Sequence, residues 1–490
     1  MMRTVGLACG ALRLACGALV LGACVGPNFH RPAPPQVDAY TAEALPQQTA
    51  SAPGPGGAAQ RFLMEQDVPR NWWTLFGSAE LDALVTEALH HSPEVSSAQA
   101  ALRQALENTA AQRGSYFPVA QAGFDASRNR NATGVLAPNL ASGTALYDLF
   151  TPQVTVSYIP DVFGANRRQV ESLAAVAEAG RFQLDATYLT LTANVVAAAV
   201  QEAGLRAQIA ATERVIALER ESLAIMRHEL ELGAIAEDSV YAQEAALAQL
   251  ETTLPPLRRQ LHQTRDQLAV LTGHLPAEVK LPELQLEQLV LPADLPLGVP
   301  SQLIERRPDV RAAEAQLHAA TAQVGVAIAN LLPQLTITGN IGSSATAMGD
   351  LFKAGTGFWS LGANATQTLF AGGTLLHRKR AADAALDQAA AMYKSAVLTA
   401  FQNVADALHA LDADADGLNA AGRAEDAAQK SLDVARHQVE LGAVSYLALL
   451  IAEQTYEQAA IALIQARASR FTDTAALFQA LGGSITPPPQ

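Results

Sequence analysis

The sequence of 490 residues is poor in cysteine, in aromatic residues and in charge. It contains three cysteines, 5% aromatic and 16% charged residues, although 49% of its residues are hydrophobic. The 33 basic residues face 47 acidic ones, which argues against a nucleic-acid partner because phosphate binding needs clustered Lys and Arg. Outside the N-terminus, no apolar stretch approaches the roughly 20 residues of a spanning helix. A polytopic helical transporter is therefore excluded.

The N-terminus has the features of an export signal. Arg3 and Arg13 precede an apolar run over 14–23, which is short for a membrane span and typical of a signal-peptide core. The run ends at Cys24 in a Leu-Gly-Ala-Cys sequence that resembles the bacterial lipobox. We expect cleavage before Cys24, which would then carry S-diacylglycerol and N-palmitoyl groups. The alternative is that Cys24 is only a small residue of an ordinary signal.

The remaining cysteines fit this interpretation. Cys9 and Cys16 lie in the segment that is removed, so the mature chain would keep no thiol for a disulfide or a metal site. Val25 stands where an Asp would resemble the inner-membrane retention signal, which favours delivery to the outer membrane. Cleavage also removes two arginines and no acid, leaving 31 basic against 47 acidic residues and a net charge of −16. No cofactor or metal is expected besides the lipid.

Proline-rich segments separate two similar halves. Arg307-Pro308-Asp309-Val310 matches Ser92-Pro93-Glu94-Val95 at an offset of about 215 residues, and Glu440-Leu441-Gly442-Ala443 matches Glu231-Leu232-Gly233-Ala234 at about 209. Several matches at nearly one offset indicate a duplication. The predicted domains are a signal peptide (1–23), a lipid-anchored extended leader (24–70), a first repeat (71–275), a proline-rich connector (276–300), a second repeat (301–483) and a proline-rich tail (484–490).

Each half contains very long helical stretches. We predict helices at about 165–232, 237–272, 374–441 and 445–481. A stretch of 68 residues would extend on the order of 100 Å, which exceeds a globular core. Apolar residues recur at alternating steps of three and four, with Glu202, Thr212, Glu219 and Asp414 as interruptions, so we expect the helices to pack as coiled coils. The glycines after 232 and 441 indicate hairpin turns.

Short alternating segments lie between the helices. We predict strands at about 119–128, 152–160, 334–342 and 358–369, each with one apolar and one polar face. This length and alternation are typical of outer-membrane strands, although a half-buried soluble sheet would alternate in the same way. Membrane strands must close into a barrel, for which about eight is the usual minimum, so four strands require oligomerisation. Three copies would supply twelve strands.

Six stretches of the chain carry a family resemblance: 24–32, 71–76, 81–85, 303–314, 369–373 and 441–447. They resemble the outer membrane factors, specifically the TolC-like lipoprotein efflux channels of the NodT type. The resemblance implies a mainly α fold with a β membrane part: a duplicated helix-strand-strand-helix-helix repeat whose homotrimer forms a 12-stranded β-barrel continuous with a long periplasmic α-helical barrel. It also implies a periplasmic adaptor (membrane fusion protein), an inner-membrane transporter of the resistance-nodulation-division (RND) type and outer-membrane lipid as partners.

The resemblance places a periplasmic gate at the hairpin tips. The first tip carries Glu237 and Asp238, and the second carries Tyr446 and Leu447. Family members often have aspartates slightly further along the second tip, where this chain has Ala448 and Ile451. The difference favours a partly apolar constriction, which gates by dewetting. Alternatively, Glu237 and Asp238 only complement the dipole at a helix N-terminus.

Basic residues follow the strands of each half. Arg167 and Arg168 come after the second strand, and Arg378, Lys379 and Arg380 come after the fourth. Such side chains can reach lipid phosphates from the membrane boundary, or they can be ordinary charges on a helix surface. Within 305–309, the charged residues at a helix start predict salt bridges and capping.

The sequence contains no catalytic or phosphate-binding motif, so an enzyme is not expected. The favoured function is a passive outer-membrane duct of a tripartite pump that exports small molecules or drugs. The alternatives are a duct for protein secretion and a lipid-anchored periplasmic coiled-coil scaffold or adaptor.

Overall fold

The computed structural model describes residues 25–44, 46–130 and 146–482. The signal peptide, Cys24 and the tail predicted at 484–490 lie outside these ranges. The helices are α1 (Ala79–His91), α2 (Pro93–Arg113), α3 (Ala165–Glu231), α4 (Glu237–Glu251), α5 (Leu254–Leu271), α6 (Pro300–Arg306), α7 (Pro308–Ala329), α8 (Thr374–Glu440) and α9 (Tyr446–Leu481). The strands are β1 (Arg61–Met64), β2 (Val119–Arg130), β3 (Leu146–Tyr158), β4 (Asp294–Leu297), β5 (Gln334–Ser343) and β6 (Gly357–Thr366).

The chain divides into two compact units, and the first contains a four-stranded sheet. This unit comprises the described parts of Met1–Arg31, Arg103–Ala179 and Glu314–Met392. Its sheet has the order β2-β3-β5-β6 and is antiparallel throughout. Within the described residues, β2 and β6 each pair along one side only, so the sheet has two open edges.

The register of this sheet places apolar residues in rows across all four strands. One row joins Ala122 to Val154, Val154 to Ile341 and Ile341 to Trp359. Val154 is 42%, Ile341 64% and Trp359 76% exposed. The adjacent row consists of polar residues: Gln121, Thr155, Asn340 and Ser360. The sheet therefore has one continuous apolar face that the chain itself leaves uncovered.

The second unit contains a two-stranded parallel sheet that sequence analysis did not predict. The unit comprises Pro32–Leu102, Gly180–Ala313 and the described part of Tyr393–Gln490. In it, β1 of the leader pairs with β4 of the connector, from Arg61 opposite Asp294 to Met64 opposite Leu297. The expectation of an extended leader was therefore incomplete, since part of it forms ordered structure with the connector.

A buried arginine fixes the leader to the last helix. Arg470 of α9 is fully buried and donates hydrogen bonds to the carbonyl oxygens of Gly56 and Ala58 and to Thr49 Oγ1, each at 2.9 Å. Hydrogen bonds from a charged donor contribute about 1.5–3 kcal/mol each. These contacts fix the position of the leader over residues 49–58.

An aromatic cluster forms the core around this anchor. Trp72 and Phe76 lie in a short 3₁₀ helix, Trp72–Phe76, and both are fully buried. Trp72 packs on Phe478 with ring centroids 5.3 Å apart, and Phe76 packs on Phe471 at 6.1 Å. The Asn-Trp-Trp-Thr-Leu-Phe stretch therefore contributes packing to the second unit, because these large rings bury apolar area against α9.

The residues of the predicted heptad seams are buried. Tyr188, Val195 and Met226 of α3 are at most 2% exposed, and Val404 and Leu411 of α8 are fully buried. The polar interruptions lie in the same seams. Glu202 is 1% exposed and accepts hydrogen bonds from Arg206 at 2.6 Å and Arg265 at 2.9 Å. A buried carboxylate is tolerated there because two guanidinium groups neutralise it.

The two hairpins differ in their second helices. The helix predicted at 237–272 is interrupted: α4 ends at Glu251 and α5 begins at Leu254. Pro255 and Pro256 explain the break, since proline lacks the amide hydrogen that helix continuation needs and is tolerated in a first turn. In the second hairpin, α9 runs unbroken from Tyr446 to Leu481. This helix is long and apolar enough to cross a membrane by length and composition, but its buried Glu453 and Arg470 contact other parts of the second unit.

Candidate channel entrance at the helical hairpins

Both hairpins turn through the same local geometry. In the first, Gly233 adopts φ of 72° and Ala234 N donates to Glu229 O at 2.8 Å. In the second, Gly442 adopts φ of 68° and Ala443 N donates to Gln438 O at 2.8 Å. Positive φ and this bond end a helix with a glycine cap, because glycine has no Cβ to clash. The duplicated sequence thus produces two equivalent tips.

The predicted acidic residues lie in the first turn of α4. Glu237 and Asp238 are exposed, and the Tyr241 hydroxyl donates to Glu237 Oε1 at 2.7 Å. Their position fits both the gate hypothesis and the simpler one, since acidic side chains in a first turn complement the helix dipole.

Tyr446 and Leu447 begin α9 and differ in their surroundings. The Tyr446 hydroxyl donates to Glu229 of α3, and its ring packs against the apolar clusters of both hairpins. Burial, together with the hydrogen bond to Glu229, raises the pKa of Tyr446 to about 12. Leu447 is 60% exposed. Tyr446 therefore joins the two hairpins, whereas Leu447 leaves an apolar side chain free at the tip.

The predicted membrane-interface residues fall into two groups. Arg378 and Arg380 are exposed, whereas Lys379 Nζ lies 2.7 Å from Asp383 Oδ2. Arg167 pairs with Asp161 at 3.3 Å and keeps 41% of its side chain exposed. The exposed arginines have the freedom to reach lipid phosphates.

Arg168 does not fit that expectation. Its side chain is 5% exposed, and its guanidinium contacts Glu171 at 2.7 Å and Asn28 Oδ1 at 2.7 Å. It also donates to the carbonyl oxygens of Val25 and Gly26 at 3.4 and 3.5 Å. Arg168 therefore holds the residues that follow Cys24 instead of extending toward lipid. The adjacent pair of arginines gave no sign of this, because burial depends on a leader 140 residues away.

Sequence reasoning missed a pair of carboxyl groups between the hairpins. Glu219 of α3 and Glu453 of α9 are 4% and 3% exposed, and their side chains lie within hydrogen-bonding contact. The available signal was Glu219 itself, an acid at a seam position. The residue at the same place in the second repeat, at an offset of 209, is Ala428.

Comparison with known families gives a match in both halves of the chain. The model of the family described as "Outer membrane efflux protein" matches residues 84–274 and 299–483. These two segments cover more than half of the sequence and coincide with the two repeats. The chain belongs to the outer membrane efflux protein family.

Individual relatives extend over nearly the whole chain. Outer membrane protein OprJ of Pseudomonas aeruginosa is 29% identical over 473 residues, covering 95% of this chain and 94% of OprJ. The pyoverdine export outer membrane protein OpmQ of the same organism is 29% identical over 420 residues, covering 84% of this chain and 87% of OpmQ. The solved outer-membrane channel OprN superimposes with a TM-score of 0.82 at 27% identity, covering 94% of this chain and 99% of OprN.

Membership confirms the predicted fold class and function. The chain has the duplicated, mainly helical fold with a strand region that the trimeric TolC-like outer-membrane channels share. It is an outer-membrane efflux channel that extends into the periplasm, and the family consists of transport proteins, not enzymes. The open-state channel MtrE of Neisseria gonorrhoeae has the same fold, with a TM-score of 0.80 at 25% identity, covering 95% of this chain and all of MtrE. The alternative of a scaffold that never enters the membrane was therefore wrong.

Proposed function

We propose that three copies of this chain form one duct that exports small molecules, including drugs, through the periplasm and the outer membrane. The observation that carries the proposal is the uncovered apolar face of the four-stranded sheet, with Ile341, Trp359 and Leu361 at 64%, 76% and 73% exposed. Contact with the hydrocarbon chains of lipid would remove this apolar face from water. The polar row with Asn340 and Ser360 would then line the lumen.

Assembly of three copies would pair the backbone groups at the two open edges of the sheet. Unpaired backbone groups are costly in hydrocarbon, so membrane strands occur in closed barrels. The free side of β2 in one copy would pair with the free side of β6 in the next, and twelve strands would close the barrel. We infer passive transport, because the sequence has no phosphate-binding motif, and the inner-membrane partner would supply the energy.

The names of the relatives point to a wide range of exported substrates. They include proteins named for export of pyoverdine, for toluene efflux in Pseudomonas putida and for cation efflux in Escherichia coli. Because chemically different cargoes share one fold, we infer that an inner-membrane transporter of the RND type and a periplasmic adaptor select the cargo for this chain as well. A pull-down from the native membrane would identify both partners.

Lipidation of Cys24 completes the proposal. Removal of 1–23 would leave Cys24 as the first residue, carrying the S-diacylglycerol and N-palmitoyl groups. The contacts of Arg168 with Val25, Gly26 and Asn28 support a fixed attachment point, because they hold the adjacent residues against the first unit. Mass spectrometry of the mature N-terminal peptide measures the acyl groups directly. An unmodified Cys24, or a mature N-terminus elsewhere, would contradict lipidation.

We also propose that Tyr446 and Leu447 narrow the periplasmic entrance, with Glu237 and Asp238 adding charge around it. The exposed Leu447 and the absence of acids at 448 and 451 support an apolar constriction. Conductance of the Glu237→Ala plus Asp238→Ala double variant separates the two contributions. Unchanged cation selectivity in that variant would remove the acids from the gate, and unchanged closure in Leu447→Ser would remove the constriction.

The duct itself is tested by a matched pair of substitutions on adjacent residues of β6. Trp359→Arg places a charge on the apolar face, where each copy would lose about 2–4 kcal/mol in the membrane. Ser360→Arg places the same charge on the polar face. We expect a deletion strain to become sensitive to exported compounds and to be rescued by Ser360→Arg but not by Trp359→Arg. Equal rescue by both variants would contradict insertion of this sheet into the membrane.

A further inference from the structure

Glu219 and Glu453 bring two carboxyl groups together between different hairpins. Glu219 belongs to α3 in the first repeat, and Glu453 belongs to α9 in the second. Both are at least 96% buried, and their carboxyl groups lie within hydrogen-bonding reach of each other. The pair therefore lies between the two hairpins. It is well away from their tips, since Glu219 lies 12 residues before the end of α3.

Few positive groups face the pair. From α4, Gln243 donates its amide hydrogen to Glu219 Oε2. From α8, Arg436 reaches to 3.6 Å from Glu453 Oε1. On α9 itself, Glu457 adds a third carboxyl group that interacts with Glu219. Among the described residues, one guanidinium group, that of Arg436, therefore faces three carboxyl groups.

One oxygen of the pair lacks a donor. Glu453 Oε2 is buried, and no donor among the described residues bonds to it. An ionised carboxylate can only accept hydrogen bonds, so two ionised groups cannot satisfy each other, whereas one protonated group provides the missing donor. Burial and, next, the neighbouring Glu453 carboxyl raise the pKa of Glu219 to about 8. A proton shared by the two acids satisfies the orphaned oxygen and removes the repulsion.

We propose that Glu219 and Glu453 form a proton-binding site that fastens the first hairpin to the second, so that proton release loosens the hairpins and favours an open entrance. The proposal rests on the proposed function as a channel. A cleft of about 410 Å³ adjoins both acids and is lined further by Gln249, Gln454 and Glu457. Through it the proton can pass to water, leaving two carboxylates that repel each other.

The duplication provides an internal control. Arg227 and Glu244 occupy the places of Arg436 and Glu453 in the first repeat, and the spacing of 17 residues is the same. Their ion pair is exposed, with the guanidinium nitrogen 2.6 Å from Glu244 Oε1 and 58% and 38% of the two side chains accessible. A neutral amide at Glu244 therefore removes the same charge without touching the proposed proton site.

The test combines hairpin distance with conductance in the full-length, purified protein. Spin labels on Ala242→Cys and Ala448→Cys, both exposed positions of the two hairpins, report their separation between pH 6 and pH 9. In the wild-type background we expect the distances to lengthen and the conductance to rise with a midpoint near pH 8, the value to which the pKa of Glu219 is raised. Glu219→Gln, whose amide donates a hydrogen bond and cannot ionise, should lose this transition. Glu244→Gln should keep it.

The possible outcomes distinguish a failure of the proton-site proposal from a failure of the channel proposal. Distances that are the same at pH 6 and pH 9 in the wild-type background, or that still lengthen in Glu219→Gln, would overturn the proton site. If the distances respond as expected while no variant conducts at any pH, the channel proposal fails and the link between proton and hairpins stands. Glu453→Gln supplies the same amide from the other helix and replaces Glu219→Gln if that variant does not assemble.

Discussion

The two repeats use one architecture but distribute polar residues differently along it. At an offset of 209, the buried Glu202 and Glu219 of the first repeat correspond to Leu411 and Ala428 of the second. In the opposite direction, Asp414 of the second repeat corresponds to Leu205. A duplicated backbone therefore tolerates an acid at a seam position in one copy where the other copy packs an apolar side chain. Each such acid must find its own partners.

The groups that contact each buried acid determine whether it stays ionised. Glu202 has Arg206 and Arg265 and is neutralised, whereas Glu219 meets another acid. Buried charge with matched partners is close to neutral for stability, and buried charge without them is costly or becomes protonated. The difference between repeats therefore lies in the surroundings of each acid more than in its presence.

The largest effect is expected when the acid of the first repeat is transferred alone to the second. Leu411→Glu buries a carboxylate at a fully buried site, and the places corresponding to Arg206 and Arg265 hold Ala415 and Thr474. We expect a loss of about 3–5 kcal/mol per copy, because neither of these two positions supplies the guanidinium group that compensates the charge in the first repeat. The temperature at which the purified assembly dissociates measures this loss.

The reverse exchange is the control. Glu202→Leu leaves Arg206 and Arg265, which keep 25% and 26% of their side chains accessible and can be hydrated. We expect a smaller loss than for Leu411→Glu, since Arg206 keeps its ion pair with Glu283 and Arg265 keeps its hydrogen bond to Leu281 O. Equal destabilisation by both exchanges would contradict the idea that partners, not the acid itself, decide the outcome.

A smaller effect concerns Asp414, the acid specific to the second repeat. Burial and, next, the neighbouring Asp473 raise its pKa from 3.8 to about 7, and Arg470 opposes this shift. A raised pKa means that the folded protein binds the proton more tightly than the unfolded chain, so stability falls as the pH rises from about 4 to about 7.

Asp414→Asn should remove this dependence, because an amide does not titrate. The expected change is about 1 kcal/mol across that pH range, since Asp414 is only half-buried and solvent screens part of the repulsion. Unfolding curves at pH 4.5 and pH 7.5 measure the effect. A dependence of the same size in the variant would assign it to other groups, and Asp416→Asn, at an exposed neighbour, controls for the change of charge.

The sequence contained enough local information to predict the helices and membrane strands but not the contacts between distant segments. The alternation around Val154 and Ile341 and the seam through Tyr188 and Val195 arise from neighbours along the chain, and the structure buries or exposes them accordingly. The β1–β4 pair joins four-residue strands more than 200 residues apart, so neither carries a pattern by itself.

Contacts between distant segments also limited what the sequence could predict about the candidate site. Glu219, Glu453 and Arg168 were visible as charged residues, but which group each one meets depends on how helices and leader pack. Arg168 follows a strand as an interfacial arginine would, yet Asn28 and Glu171 surround it. The proline pair at 255–256, in contrast, was a readable local signal that the prediction of one helix overlooked.

The smallest expected effect is in the exposed ion pair of the first hairpin. Arg227→Ala should cost less than about 1 kcal/mol, because solvent and salt screen a surface pair. The corresponding Arg436→Ala removes a cation that lowers the pKa of Glu219, so its effect should instead be an upward shift in the pH at which the hairpins separate. Spin-label distances against pH distinguish the two variants. A midpoint shift in Arg227→Ala as large as that in Arg436→Ala would show that the repeats are electrostatically equivalent, which their different surroundings argue against.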